Sequence, residues 1–83
     1  MRARVVSVAE GEKIDLPEGL TNTDVEVING RNLAVVIDDT APTSTYVRRF
    51  KRARGPKRAD IEIPDSAVVA QWDGNSVTYL EVE

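Results

Sequence analysis

Residues 46–64 read YVRRFKRARGPKRADIEIP and form the stretch that decides the fold. Within them, positions 48–58 hold seven of the chain's eleven basic residues and no acid. The other positions hold four basic residues and all fourteen acids, and the whole chain carries a net charge of −3. The chain is therefore electrically polarised, with a cationic segment set in an anionic body.

One interpretation of this stretch is a helix over residues 45–54. Ser44 would be its N-cap, Gly55 would end it and Pro56 would follow, an order that is typical of helix boundaries. Basic side chains in its last turn would also interact favourably with the negative end of the helix dipole. Against this interpretation, the segment begins with β-branched and aromatic residues, which are weak helix formers.

The second interpretation, which we favour, is a β-hairpin over residues 46–63 that turns at Gly55-Pro56. Pairing about that turn sets basic residues opposite acids or isoleucines and an aromatic residue opposite an isoleucine: Lys51 with Asp60, Arg49 with Glu62, Phe50 with Ile61 and Arg48 with Ile63. Favourable cross-strand pairs each contribute about 0.2–1 kcal/mol. The hairpin predicts a basic arm whose tip carries four cations: Arg52, Arg54, Lys57 and Arg58.

Composition is typical of a small globular domain. The 83 residues suit a single β domain, residues 1–83, with 41% hydrophobic and 30% charged side chains. The sequence contains no Cys and no His, which removes disulfides, thiolate metal sites and the commonest general base. We therefore expect no enzyme, no cofactor and no metal site.

Turn-forming residues divide the chain into short strands. Asn29-Gly30 and Asp73-Gly74 are strong hairpin signals, because such dipeptides favour the positive φ values of tight turns. Leu33–Ile37 is apolar on both faces, as expected of a central strand covered on both sides. We predict an all-β fold, a barrel or sandwich of about six to eight short antiparallel strands with the basic hairpin arm. Its core should include Val35, Ile37 and Trp72.

A short internal similarity relates residues 1–38 to residues 45–83. IDLPE at 14–18 matches IEIPD at 61–65 in residue type, and a hairpin turn follows each copy. Agreement over so few positions also arises by chance. A duplication would give both halves the order strand, turn, strand ending in proline, hairpin, and would predict a pseudo-twofold fold.

Two function classes fit these features. The first, which we favour, is a non-enzymatic structural subunit that docks on a larger or oligomeric protein assembly, for example a phage-capsid decoration or accessory protein. The second is a nucleic-acid-binding module that uses residues 48–58, although the net charge of −3 repels a polyanion. The expected partner-binding residues are basic: Arg48, Arg52, Arg54, Lys57 and Arg58.

No apolar run in the sequence approaches the length of a membrane span. We therefore expect no membrane partner. The expected location is the cytoplasm, or a virion assembled there.

Overall fold

The computed structural model of the chain describes residues 3–38, 40 and 44–83. This part of the chain forms seven strands: β1 Ala3–Ala9, β2 Lys13–Pro17, β3 Val25–Val27, β4 Asn32–Asp38, β5 Thr45–Arg54, β6 Val68–Asp73 and β7 Ser76–Val82. The helical segments among these residues are two short 3-10 turns, Asn22–Asp24 and Arg58–Asp60. The predicted all-β class is confirmed.

The strands form two antiparallel sheets that pack face to face as a sandwich. Sheet A has the strand order β1-β4-β3, and sheet B has the order β2-β5-β7-β6. The chain begins in sheet A, crosses to sheet B for β2, returns for β3 and β4, and completes sheet B with β5, β6 and β7.

The core lies between the two sheets and is built from alternate residues of their strands. β4 contributes Leu33, Val35 and Ile37 to it, so the predicted core positions on this strand are confirmed. Sheet B supplies the facing layer, which includes Leu16, Phe50, Val68 and Leu80. The period of two along each strand thus places one apolar row of each sheet in the core.

The opposite face of β4 differs from the prediction. Val36 is 43% exposed there, and its cross-strand partner Val5 on β1 is 64% exposed. The prediction of a strand covered on both sides is therefore wrong, since no described segment supplies a second layer over this face.

Residues 45–54 form a strand, as the favoured interpretation required, and not a helix. β5 is an interior strand of sheet B, with β2 on one side and β7 on the other. Phe50 on this strand lies opposite Leu80 and is 1% exposed. Thr45, Tyr46 and Val47 at its start are β-branched or aromatic, residue types that favour strands over helices.

The second arm of the predicted hairpin over residues 46–63 is wrong. Residues 57–63 contain a 3-10 turn and no strand, and β5 pairs instead with β7. β7 offers an uninterrupted ladder of seven residue pairs, from Arg48 to Arg54 along β5. This pairing sets Phe50 opposite the fully buried Leu80, whereas the 3-10 turn Arg58–Asp60 interrupts the extended backbone of residues 57–63.

The segment after β5 folds back over the outer face of sheet B. Val77 and Tyr79 are buried on that face, outside the core between the sheets. Ile61 packs so close to Gly55 that a Cβ atom there would lie 3.2 Å from its Cγ1 atom. This segment therefore covers the part of the outer face of sheet B that carries Val77 and Tyr79, whereas Val47 on the same face is 42% exposed.

Trp72 was predicted in the core, and this prediction is wrong. Trp72 pairs with Val77 on the outer face of sheet B, where it is only partly buried. The cause is a β-bulge between Val69 and Gln71, which reverses the facing of the residues that follow it. Simple alternation from Val68 would have turned Trp72 inward.

The two predicted halves contribute sheets with the same strand order. Residues 3–38 give β1, β4 and β3, and residues 45–83 give β5, β7 and β6, each in the order first, last, middle. The proline-terminated strand is not shared, because Lys13–Pro17 forms β2 whereas residues 61–64 form no strand. A duplication remains a prediction.

Candidate partner-binding surfaces

Arg48, one of the expected partner-binding residues, is buried and only 3% exposed. Its Nη2 atom donates to the carbonyl oxygens of Pro17 and Glu18, at 3.3 Å each. Its Nε and Nη1 atoms have no hydrogen-bond partner among the described residues. Burial lowers the pKa of the guanidinium, because it disfavours the charged form. Arg48 therefore lies where a partner cannot reach it.

Three other basic residues are neutralised within sheet B. Arg49 Nε lies 2.6 Å from Glu83 Oε1, and Lys13 Nζ lies 3.6 Å from Glu83 Oε2. Lys51 Nζ lies 2.6 Å from Glu81 Oε2. The bond to Arg49 lowers the pKa of Glu83, and the bond to Glu81 raises the pKa of Lys51. The acids that offset these basic residues are thus Glu81 on β7 and Glu83, which directly follows it, and not residues 60 and 62.

Arg52 and Arg54 face the other side of β5, at an open end of the sandwich. They line a cleft of about 340 Å³ together with Val27, Gly30, Gln71, Asp73, Ser76 and Thr78. Arg52 Nη2 donates to the carbonyl oxygen of Gly30 and so links the two sheets. Because β3 ends at Val27, sheet A leaves this end of sheet B uncovered.

Lys57 and Arg58 lie on the segment that crosses the outer face of sheet B. Lys57 is exposed, and the Arg58 guanidinium lies over the Trp72 ring, 4.3 Å from its centroid. Arg52 and Arg54 face the opposite side of the sheet. The basic residues expected at one hairpin tip are therefore divided between two faces, and their binding to a partner stays a prediction.

Sequence reasoning missed the uncovered outer face of sheet A. We call this face the sheet A surface and define it by three cross-strand pairs of β1 and β4: Val5 with Val36, Ser7 with Ala34 and Ala9 with Asn32. None of these side chains is charged. Asp38 follows at the end of β4 and Glu26 on β3, so the acids lie at the margin. Its side chains are small, and its two valines are exposed apolar groups.

The edge of sheet A adjoins this surface. β1 is the edge strand, and no described strand pairs with its outer side. Its sequence, ARVVSVA, has one charged residue, Arg4. Edge strands of soluble domains are commonly protected by several charges, a proline or a bulge, so β1 is a weakly protected edge. The alternate positions of β1 hold small residues, but this row forms a surface only through its pairing with β4.

Other kinds of site find little support. In the described part of the chain no group of His, Cys, Asp and Glu is arranged to hold a metal ion. None of its helical segments has the length and apolar character needed to cross a membrane.

Comparison of the chain with protein-family models, with curated protein sequences and with solved structures finds no match. Function is therefore inferred from the surfaces of the chain itself.

Proposed function

We propose that the chain is a non-enzymatic structural subunit that docks on a larger protein assembly, in the manner of a phage-capsid decoration or accessory protein. The sheet A surface carries this proposal. Val5 and Val36 are 64% and 43% exposed and lie directly opposite each other. On sheet B, in contrast, the chain's own segment covers the part of the outer face that carries Val77 and Tyr79. A pair of exposed valines left open on one sheet, beside apolar residues covered on the other, fits a surface that a partner completes.

The energetics of this surface suit protein docking. Fully burying a valine side chain contributes about 1.5–3 kcal/mol, and the small residues around Val5 and Val36 allow a partner backbone to approach closely. Val36 also borders a cavity of about 150 Å³ together with Leu20 and Ile37, which is smaller than the usual binding site of a small molecule, so a protein partner is favoured. The edge of β1 adds backbone donors and acceptors that a partner strand can use.

The basic residues fit this proposal as peripheral contacts. Arg52, Arg54 and Lys57 are exposed, but they lie on two faces, so the sheet A surface is proposed as the principal contact. The partner is then a protein. The proposed place of action is the cytoplasm, or a virion assembled there.

The test is co-sedimentation of the chain with the assembly from cells that naturally make it. Val36→Lys should abolish co-sedimentation, because docking would bury the new charge without a partner. Val47→Lys is the matched control, since Val47 is 42% exposed on sheet B. Wild-type chain that sediments only as a monomer, or equal losses in both variants, would refute the proposal.

Nucleic-acid binding is the second candidate function. Arg52 and Arg54, in the cleft, support it. The neutralised cations of sheet B, the buried Arg48 and the net charge of −3 weigh against it. The docking proposal expects the isolated chain to bind DNA or RNA no tighter than about 10⁻⁴ M near physiological salt. Submicromolar binding of DNA or RNA would make nucleic-acid binding the favoured function.

A further inference from the structure

The cleft at the open end of the sandwich is organised as two rows of side chains across three strands. In one row Arg52 on β5 lies opposite Thr78 on β7, which lies opposite Gln71 on β6. In the next row the series is Arg54, Ser76 and Asp73. Each row therefore runs from a cation, through a hydroxyl, to a carboxylate or an amide.

The β-bulge between Val69 and Gln71 creates this arrangement. By shifting the register of β6 by one residue, it turns Gln71 and Asp73 to the cleft side and Trp72 to the outer face. Without it, the acidic and amide groups would face away from the arginines. Bulges commonly re-aim side chains in this way at binding sites.

Several polar groups of the cleft are not used by the protein. Within the described residues the side chains of Arg54, Gln71 and Asp73 form no hydrogen bond or ion pair. Arg54 and Asp73 lie two strands apart, at about 4.8 Å per strand, which separates their charged groups. Their charges consequently remain available to a ligand that spans the row.

The two hydroxyl groups of the cleft act as acceptors for such a ligand. Ser76 Oγ donates to the carbonyl oxygen of Asp73 at 2.9 Å, and Thr78 Oγ1 donates to that of Gln71 at 3.4 Å. With their protons directed to the backbone, both oxygens present lone pairs to the cleft. Donors thus lie on the β5 side, and acceptors lie on the β6 and β7 side.

We propose that this cleft binds a phosphate monoester carried on a small hydroxylated molecule, such as a sugar phosphate or polyol phosphate. Arg52 and Arg54 bind the phosphate, since guanidinium groups match its geometry. Asp73, Ser76 and Thr78 accept hydrogen bonds from the hydroxyl groups. A volume of about 340 Å³ suits a ligand of this size. The site is separate from the sheet A surface, and this inference does not depend on docking.

The test is titration of the full chain with ribose 5-phosphate, inorganic phosphate and ribose, followed by backbone amide chemical shifts. Ribose 5-phosphate should bind saturably and more tightly than inorganic phosphate, with shifts at the cleft ends of β5, β6 and β7. Ribose should not saturate. Arg54→Gln should weaken ribose 5-phosphate binding by about tenfold or more, the effect of losing a charge-assisted hydrogen bond. Lys57→Gln removes the same charge outside the cleft and should leave binding unchanged.

The Asp73→Asn variant distinguishes binding of the phosphate from binding of the hydroxyl groups in the proposed site. It should strengthen binding of inorganic phosphate by removing a repulsive charge, and it should reduce the preference for ribose 5-phosphate by removing an acceptor. A 5′-phosphorylated DNA oligonucleotide should bind no tighter than ribose 5-phosphate.

Four results would overturn the proposal. They are absence of saturable binding, equal weakening by Arg54→Gln and Lys57→Gln, no preference for ribose 5-phosphate over inorganic phosphate, and tighter binding of the oligonucleotide. Because Arg54 is exposed, an unchanged amide spectrum away from the cleft verifies that the Arg54→Gln variant is folded.

Discussion

Phe50→Ala is expected to lower the free energy of unfolding by about 3–5 kcal/mol, the range for truncating a buried phenylalanine. Phe50 is 1% exposed, lies opposite Leu80 and belongs to the core between the sheets. Removing its ring would leave a cavity between the two sheets, which cannot close it without disturbing the close packing around it. Small domains are stable by only about 5–15 kcal/mol, so the variant should be partly unfolded near physiological temperature.

The measurement is chemical denaturation of Phe50→Ala beside Tyr46→Ala. Tyr46 is an aromatic residue of the same strand, but it is 41% exposed, and its hydroxyl donates to Glu18 at the surface. Tyr46→Ala should therefore lower the free energy of unfolding much less than Phe50→Ala does. Equal losses in the two variants would contradict the position of β5 in the interior of sheet B.

Arg48→Met is expected to stabilise the domain by about 1–4 kcal/mol, as found when buried charges are replaced by apolar groups of similar volume. The Arg48 guanidinium is buried with two nitrogens unpaired and with no carboxylate within salt-bridge distance among the described residues. The desolvation cost of the charge exceeds the gain from two long bonds to carbonyl oxygens. Methionine keeps the length of the side chain and fills the same space.

Arg49→Met on the opposite face of β5 is the control. Arg49 donates to Glu83 and to the carbonyl oxygen of Gly11, so its replacement should lower stability slightly. Denaturation midpoints of the two variants should therefore move in opposite directions. A loss of stability in Arg48→Met would contradict this prediction. It would mean that the hydrogen bonds to Pro17 and Glu18 stabilise the fold by more than burial of the charge destabilises it.

The all-β class could be predicted from the sequence because the features that indicate it are local. Asn29-Gly30 and Asp73-Gly74 are turns with positive φ at glycine, and the apolar alternation around them has the period of a strand. The core positions of Val35 and Ile37 follow from that alternation alone. These features need no knowledge of which strands are neighbours.

The pairing of β5 could not be predicted in the same way, because it is nonlocal. Asp60 and Glu62 stand at the spacing that a local hairpin requires, whereas the true partners on β7 follow some thirty residues later, for example Glu81. A local match in charge is weak evidence, since exposed ion pairs contribute little to stability. Burial of apolar residues along β7 decides the pairing.

The surfaces that we propose for binding depend on strand pairing and were missed for the same reason. Val5 and Ser7 are unremarkable in the sequence and form a surface only once β1 is known to pair with β4. The cleft depends on the bulge before Gln71, which has no signature in the residue types around it. The basic residues are evident in the sequence, but the fold divides them between a cleft, a set of ion pairs, the interior and the outer face of sheet B.

The central claim is that the sheet A surface is the docking face, and single-cysteine labelling tests it most directly. The chain has no cysteine, so Val36→Cys and Val47→Cys each introduce one thiol at comparable exposure on different sheets. Both should react rapidly with a maleimide in the isolated chain. In the assembly, the thiol at position 36 should be protected while that at position 47 stays reactive. Equal reactivity of both thiols in the assembly would contradict the claim.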